Sequence, residues 1–177
     1  MRKVTFGVAN SLDNFIARRN HGVDWLLWGK EVAAIMKKYW KTIDTVIMGR
    51  KTYDIGKKMG GGVAYPGIKM YVMSRTMKKN ADKNVEVVSS NPAQLIRKLK
   101  KQKGKDICVM GGGVLAKALL EAGVIDEVGF NIHPVLLGSG IPLFPPMGCQ
   151  VDLELQECKT FKNGCVLVTY RVKHRGG

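Results

Sequence analysis

The chain has 177 residues, 45% of them hydrophobic and 24% charged, with 29 Lys and Arg against 14 Asp and Glu, a net charge of +15. That length and balance imply one globular domain, residues 1–177, with a sizeable core, and they exclude a disordered chain. No apolar run reaches the length of a membrane span, and the start MRKVTFGVANSLDNF lacks the apolar stretch of a signal peptide, so a cytoplasmic location is expected.

The charge excess favours anionic partners: phosphorylated cofactors, phosphorylated substrates or nucleic acid. Cys108, Cys149, Cys158 and Cys165 show no paired metal-ligand spacing. Free thiols and no metal site are expected.

Lys3 to Ala9 alternates and reads as a first strand. Asn10 to Asn14 reads as a turn, and Phe15 to Ala17 resumes an extended segment. Trp28, Val32, Ile35, Met36, Tyr39, Trp40 and Ile43 fall at helical spacing and predict one long amphipathic helix, with Asp24 as its N-cap. Thr45 to Met48 is a short β-rich run, Arg50 to Lys58 helical, residues 60–67 a loop, and Lys69 to Ser74 and Val85 to Ser89 strands. Pro92 starts a helix that ends near Gly104. Asp106 to Met110 is a strand and Gly112 to Ala122 a helix closed by Gly123. Asp126 to Ile132 follows as a strand. Val151 to Glu157 and Cys165 to Lys173 form a hairpin across Asn163-Gly164.

Strands alternate with helices, then strands follow alone. The order predicts an α/β fold with one mixed, mostly parallel sheet, helices on both faces and an antiparallel C-terminal edge.

Three strand ends carry anion-binding chemistry. In VMGGGVLAKALL the strand ending at Met110 meets Gly111, Gly112 and Gly113 before a helix beginning Val114-Leu115. Helix starts offer unpaired N–H groups, and bare glycines admit a pyrophosphate; three in a row exceed the need of a turn. The alternative is a tight turn that is merely glycine-rich. In TVIMGRKTYDIG, Gly49 ends a β-run and Arg50, Lys51 and Thr52 open a helix. In YVMSRTMKK a strand ends at Ser74-Arg75, with Lys78 and Lys79 beyond. Ligands of parallel sheets sit at the carboxyl ends of strands. One pyrophosphate and one further phosphate would occupy all three ends, which suggests NADPH.

The segments VIMGRKTYD, MYVMSRT and ICVMGGGVLAKALL resemble the three NADPH-binding segments of the dihydrofolate reductase superfamily, and VANSLDNFIA resembles its first strand and loop. HPVLLGSGIPLF, His133 to Phe144, resembles the C-terminal reductase domain of the bifunctional riboflavin-biosynthesis deaminase-reductase. The resemblance implies the three-layer dihydrofolate reductase-like fold. It implies that Ala9 and Ile16 hold the nicotinamide carboxamide through backbone groups. Gly49, Arg50, Lys51 and Thr52 would grip the pyrophosphate and adenosine side, Ser74 and Arg75 would read the 2′-phosphate, and Met110 to Leu115 would cradle the pyrophosphate. Relatives of the riboflavin type tend to be homodimers.

The chain departs from both relatives. The folate enzymes carry an acid on the first long helix; here the candidates are Glu31 and Asp24. Ile68 stands where they grip folate's glutamate tail with an arginine, which argues against folate. Trp40 stands where the riboflavin reductases tend to carry an arginine, and DIGKKMGGG replaces their D-x-P-x-L-like stretch. Trp25 is expected to stack on a planar heterocycle and Asn131 to face the pocket.

The expectation is an NADPH-dependent reductase of a C=N or C=O group in a pterin-like or aminopyrimidine substrate. 5-amino-6-(5-phosphoribosylamino)uracil reductase is its nearest named reaction, and dihydrofolate reductase the second. The alternatives of other classes are a basic nucleic-acid-binding protein and an NADPH-binding protein without chemistry.

Overall fold

The computed structural model describes residues 1–58, 67–78 and 84–174. The expected loop 60–67 and Lys79 lie largely or wholly outside them. Ten strands and four helices follow in chain order: β1 (Val4–Ser11), β2 (Phe15–Ala17), α1 (Lys30–Thr42), β3 (Ile43–Gly49), α2 (Arg50–Lys58), β4 (Lys69–Met73), β5 (Val85–Val88), α3 (Pro92–Lys100), β6 (Asp106–Met110), α4 (Gly113–Glu121), β7 (Glu127–His133), β8 (Ile141–Pro142), β9 (Asp152–Thr160) and β10 (Val166–Lys173).

Eight strands form one sheet in the order β5-β4-β3-β6-β1-β7-β10-β9. The ladders from β5 to β7 are parallel, and β10 runs antiparallel to both β7 and β9. This is the mixed sheet the sequence implies, its antiparallel edge being the β9–β10 hairpin. The hairpin closes at Gly164, whose positive φ of 84° an L side chain would rarely adopt. A second ladder pairs β2 with β8, and nothing in the sequence pattern announced β8.

Side-chain parity divides the core between the two faces. Val4, Phe6, Ile107, Val109 and Val128 pack with Ala93, Ile96 and Leu99 of α3 and Ala116, Leu119 and Leu120 of α4. On the other face, Val46, Met48, Met70, Val72 and Cys108 pack with Tyr53 of α2 and with Tyr39 and Trp40 of α1. Each central strand thus carries apolar residues on both sides, as a doubly covered parallel sheet requires.

Two expectations about α1 are corrected. The helix begins at Lys30 behind Gly29, whose backbone caps it without any side-chain bond. Asp24 is not the cap; its carboxylate takes both guanidinium donors of Arg18, at 2.8 and 2.9 Å. Trp28 lies before the helix and is 74% exposed, so the apolar stripe starts at Val32. α3 has the cap the sequence reading missed: Asn91 accepts from the Ala93 and Gln94 amides.

Candidate active site

The connections out of β3 and β6 leave in opposite directions along the sheet, β3 toward β4 and β6 past β1 to β7. Such a reversal opens a crevice at the carboxyl ends of the two strands. Gly49 to Thr52 and Met110 to Gly113 occupy those ends, and Thr52 packs directly on Gly111. The crevice therefore joins two of the three segments singled out for anion binding.

The three glycines have separate structural causes. Gly111 and Gly112 adopt positive φ, 62° and 75°. Gly113 has ordinary φ, but a β-carbon there would stand 2.0 Å from the Leu143 carbonyl oxygen. The expectation that three glycines exceed the need of a turn is corrected: turn geometry and close packing require all three. The anion-binding case now rests on α4 itself. Its N-terminus has no side-chain cap, and its first N–H groups point out of the carboxyl end of the sheet. Val114 is 74% exposed in this first turn, while Leu115 packs into the core beneath it.

Across the crevice, Arg50 bonds Asp54 at 3.3 Å and the Thr76 hydroxyl at 2.9 Å, bridging α2 to the loop after β4. Ser74 Oγ accepts from the Thr76 and Met77 amides and so shapes that loop. Lys51 and Arg75 are exposed and make no ion pair among the described residues. Gly49 is half-buried, with open space where a β-carbon would lie.

Beside the crevice the central strands lack cover. Gly7 of β1 is exposed although β1 lies in the middle of the sheet. It sits opposite Gly129 of β7 and Met110 of β6. A β-carbon on Gly7 would meet nothing closer than the Gly129 oxygen at 4.0 Å, and one on Gly129 nothing closer than Thr169 Oγ1 at 3.9 Å. The two glycines floor a slot under α1. Ala9 and Asn131, paired in the next row toward the carboxyl end, continue the floor. At the amino end the Tyr39 hydroxyl meets Thr5 Oγ1 at 2.6 Å, and burial pushes the Tyr39 pKa well above its usual value. Sequence reasoning missed Gly7 and Gly129. Facing glycines inside two apolar strands were the available signal.

A rim closes the slot's carboxyl side. Asp13 in the β1–β2 turn accepts from the Leu137 and Gly138 amides at 3.1 and 2.7 Å. Leu12 donates to the Val135 carbonyl, and Leu143 to Asn14. The VANSLDNFIA and HPVLLGSGIPLF segments are thus one unit, and Leu143 continues it to Gly113. Ile16 packs from β2 into the core below.

The remaining candidates divide. Arg18 holds the Asp24 carboxyl below the usual carboxylate range, so it is charged at neutral pH and is no proton donor, a correction to its expected role. Glu31 is exposed at the start of α1, its carboxylate accepting the Lys162 amide at 3.3 Å. Trp25 is also corrected. It is 7% exposed and edge-on to His133 at 5.3 Å, so its faces are used inside the protein, and the glycine floor offers the flat surface instead. Asn131 does line the floor. Ile68 is buried among apolar residues and presents no charge. A groove of about 620 Å³ between Lys37, Trp40, Lys41, Ile68 and Lys105 lies at the amino ends of β3, β4 and β6, the opposite end from the crevice.

A mixed, mostly parallel sheet with a crevice at its reversal point and a glycine-floored slot beside it defines a dihydrofolate reductase-like protein. The chain belongs to the RibD C-terminal domain family, which matches residues 2–167. That membership points to a reductase acting on a small molecule. "Uncharacterized protein YyaP" of Bacillus subtilis (strain 168) is 31% identical over 96% of this chain and 94% of its own length. YwjB of the same strain is 32% identical over 90% and 92%. The structure of a putative riboflavin biosynthesis protein from Shewanella sp. PV-4 superposes with a TM-score of 0.78, at 26% identity, covering 98% of this chain and all of that one. The Thermotoga maritima deaminase/5-amino-6-(5-phosphoribosylamino)uracil reductase gives 0.73 at 15% identity, a likeness of fold, with this chain spanning 57% of it.

Proposed function

We propose that this protein is an NADPH-dependent reductase that delivers hydride to a C=N or C=O group of a planar pterin-like or aminopyrimidine heterocycle. Its nearest named reaction is 5-amino-6-(5-phosphoribosylamino)uracil reduction. The observation that carries this reading is the exposed floor of Gly7 and Gly129 in the middle of the sheet, beside the uncapped start of α4. A flat ring fits against bare backbone where a side chain would stand in its way.

The residues present fit the dinucleotide. The α4 N-terminus and Gly111 to Gly113 suit a pyrophosphate, Gly49 leaves room for close approach, and Lys51, Ser74 and Arg75 at the far side of the crevice suit the 2′-phosphate of NADPH. Ala9 and Ile16 would hold the nicotinamide carboxamide through their backbone groups. When bound, the nicotinamide supplies the hydride. The chain's own part is to lay the heterocycle on the floor between Ala9 and Asn131 and keep it under α1. The product also needs a proton, for which Glu31 at the start of α1 is the acid in reach of the slot mouth. Dihydrofolate is a weaker fit, since Ile68 removes the charge that would hold a glutamate tail. A cytoplasmic homodimer accords with the riboflavin-type relatives.

Titration with NADPH and with NADH, followed by tryptophan fluorescence, tests the cofactor. Much tighter binding of NADPH is expected, and its loss on Arg75→Ala. Binding of neither nucleotide would sink the reading.

A further inference from the structure

Beyond the floor of the slot lies a buried polar cluster that the reductase reading leaves unused. Gly129, Asn131 and His133 alternate along β7 and share the face beneath α1. His133 is 2% exposed. Its Nδ1 receives the Leu27 amide at 3.1 Å and lies 3.4 Å from Cys165 Sγ. Its Nε2 lies 3.2 Å from the Asn131 carboxamide nitrogen, and Trp25 packs edge-on against the ring.

These contacts decide where the hydrogens are. A backbone N–H can only donate, so Nδ1 is an acceptor. The neutral ring therefore carries its hydrogen on Nε2. Two N–H donors do not face each other at 3.2 Å, so the Asn131 carboxamide belongs in the rotated orientation, with Oδ1 accepting from Nε2–H. This explains why Asn131 Oδ1, as placed, is buried without a partner. On β7, His133 is on one side of Asn131 and Gly129 on the other. The end of the carboxamide that does not meet His133 is the end toward the glycine floor.

We infer that His133 is a positioning residue that holds the Asn131 carboxamide with its NH2 toward the floor, so that the slot selects a heterocycle presenting a ring carbonyl at that edge. The inference rests on the slot's binding a heterocycle. It adds which edge chemistry the slot reads. A dione ring offers the acceptor that the fixed NH2 needs, whereas a diamino ring sets donor against donor and leaves both unpaired.

The test uses two planar probes of one size, 2,4-dioxopteridine (lumazine) and 2,4-diaminopteridine, at a pH where the diamine is neutral. Binding to the NADPH-loaded protein is measured by calorimetry. The dione is expected to bind about tenfold tighter. In Asn131→Asp the outward oxygen accepts instead, and the preference inverts. In His133→Leu the carboxamide is free to rotate and the ratio falls toward one. In His133→Gln, whose side-chain N–H again reaches Asn131, the ratio returns. A protein that merely lost packing would weaken both probes alike. NADPH binding by each variant shows that the fold persists, and Asn131→Asp, at the half-buried floor, carries the test should His133→Leu not fold. A wild-type preference for the diamine, equal binding of both, or an unchanged ratio in His133→Leu overturns this inference alone. Binding of neither probe overturns it together with the heterocycle reading.

Discussion

The methyl group of Thr52 stands 2.7 Å from where a β-carbon on Gly111 would lie. The contact joins the first turn of α2 to the turn after β6, across the point where the strand order reverses. Gly111→Ala meets both that obstruction and a φ of 62°. A loss of about 1–3 kcal/mol is expected, together with weakened NADPH binding. Adding Thr52→Ala removes the steric part only. Denaturant midpoints of the single and double variants separate the two costs; equal midpoints would show that the backbone conformation accounts for all of it.

Gly7 is the opposite case. Its β-carbon position is open, and its φ is not in the left-handed region. Gly7→Val gains strand propensity and fills the slot. Stability is expected to hold or rise by up to about 1 kcal/mol while turnover and probe binding disappear. Gly113→Ala, driven against the Leu143 carbonyl, is expected to lose stability by more than about 3 kcal/mol. Thermal melts beside an activity assay check both.

The thiols should sort by environment. Cys149 and Cys158 are exposed, whereas Cys108 and Cys165 are buried. Burial pushes the Cys108 thiol up to about 11 and raises Cys165 as well. A disulfide reagent at mildly alkaline pH is expected to label two thiols quickly and all four only after denaturation.

Burial also lowers the His133 pKa. The folded state then binds fewer protons than the unfolded chain, whose histidine titrates near ~6.5. The stability that neutral His133 contributes is complete above that value and is lost as pH falls from it through the lowered folded value. Unfolding free energy followed downward from neutrality should decline more gently in His133→Gln. A parallel decline in both proteins would show that other groups cause the acid loss.

The architecture was legible because each strand and helix carries its own period. Arg50–Lys58 and Asp106–Met110 lie where the pattern put them, and the glycine turns were visible because Gly punctuates strand ends. Long-range packing was not legible. Trp28 fits the helical period yet lies outside α1, since periodicity cannot tell a preceding loop from a first turn. Asp24 reads as a cap until Arg18 is seen to hold it. Gly7 and Gly129 are 122 residues apart in sequence, and only the β1–β7 register makes them neighbours.

β1 lies between β6 and β7, whose first residues, Asp106 and Glu127, are synthesised long after its own. At ~5–20 residues per second, the first strand emerges roughly 5–20 s before either neighbour exists. Through that interval Val4, Phe6 and Val8 have no sheet to enter. The nascent chain therefore cannot fold from its amino terminus onward. Its opening segment waits, a natural client for a chaperone at the ribosome, and the slot over Gly7 is among the last features to form.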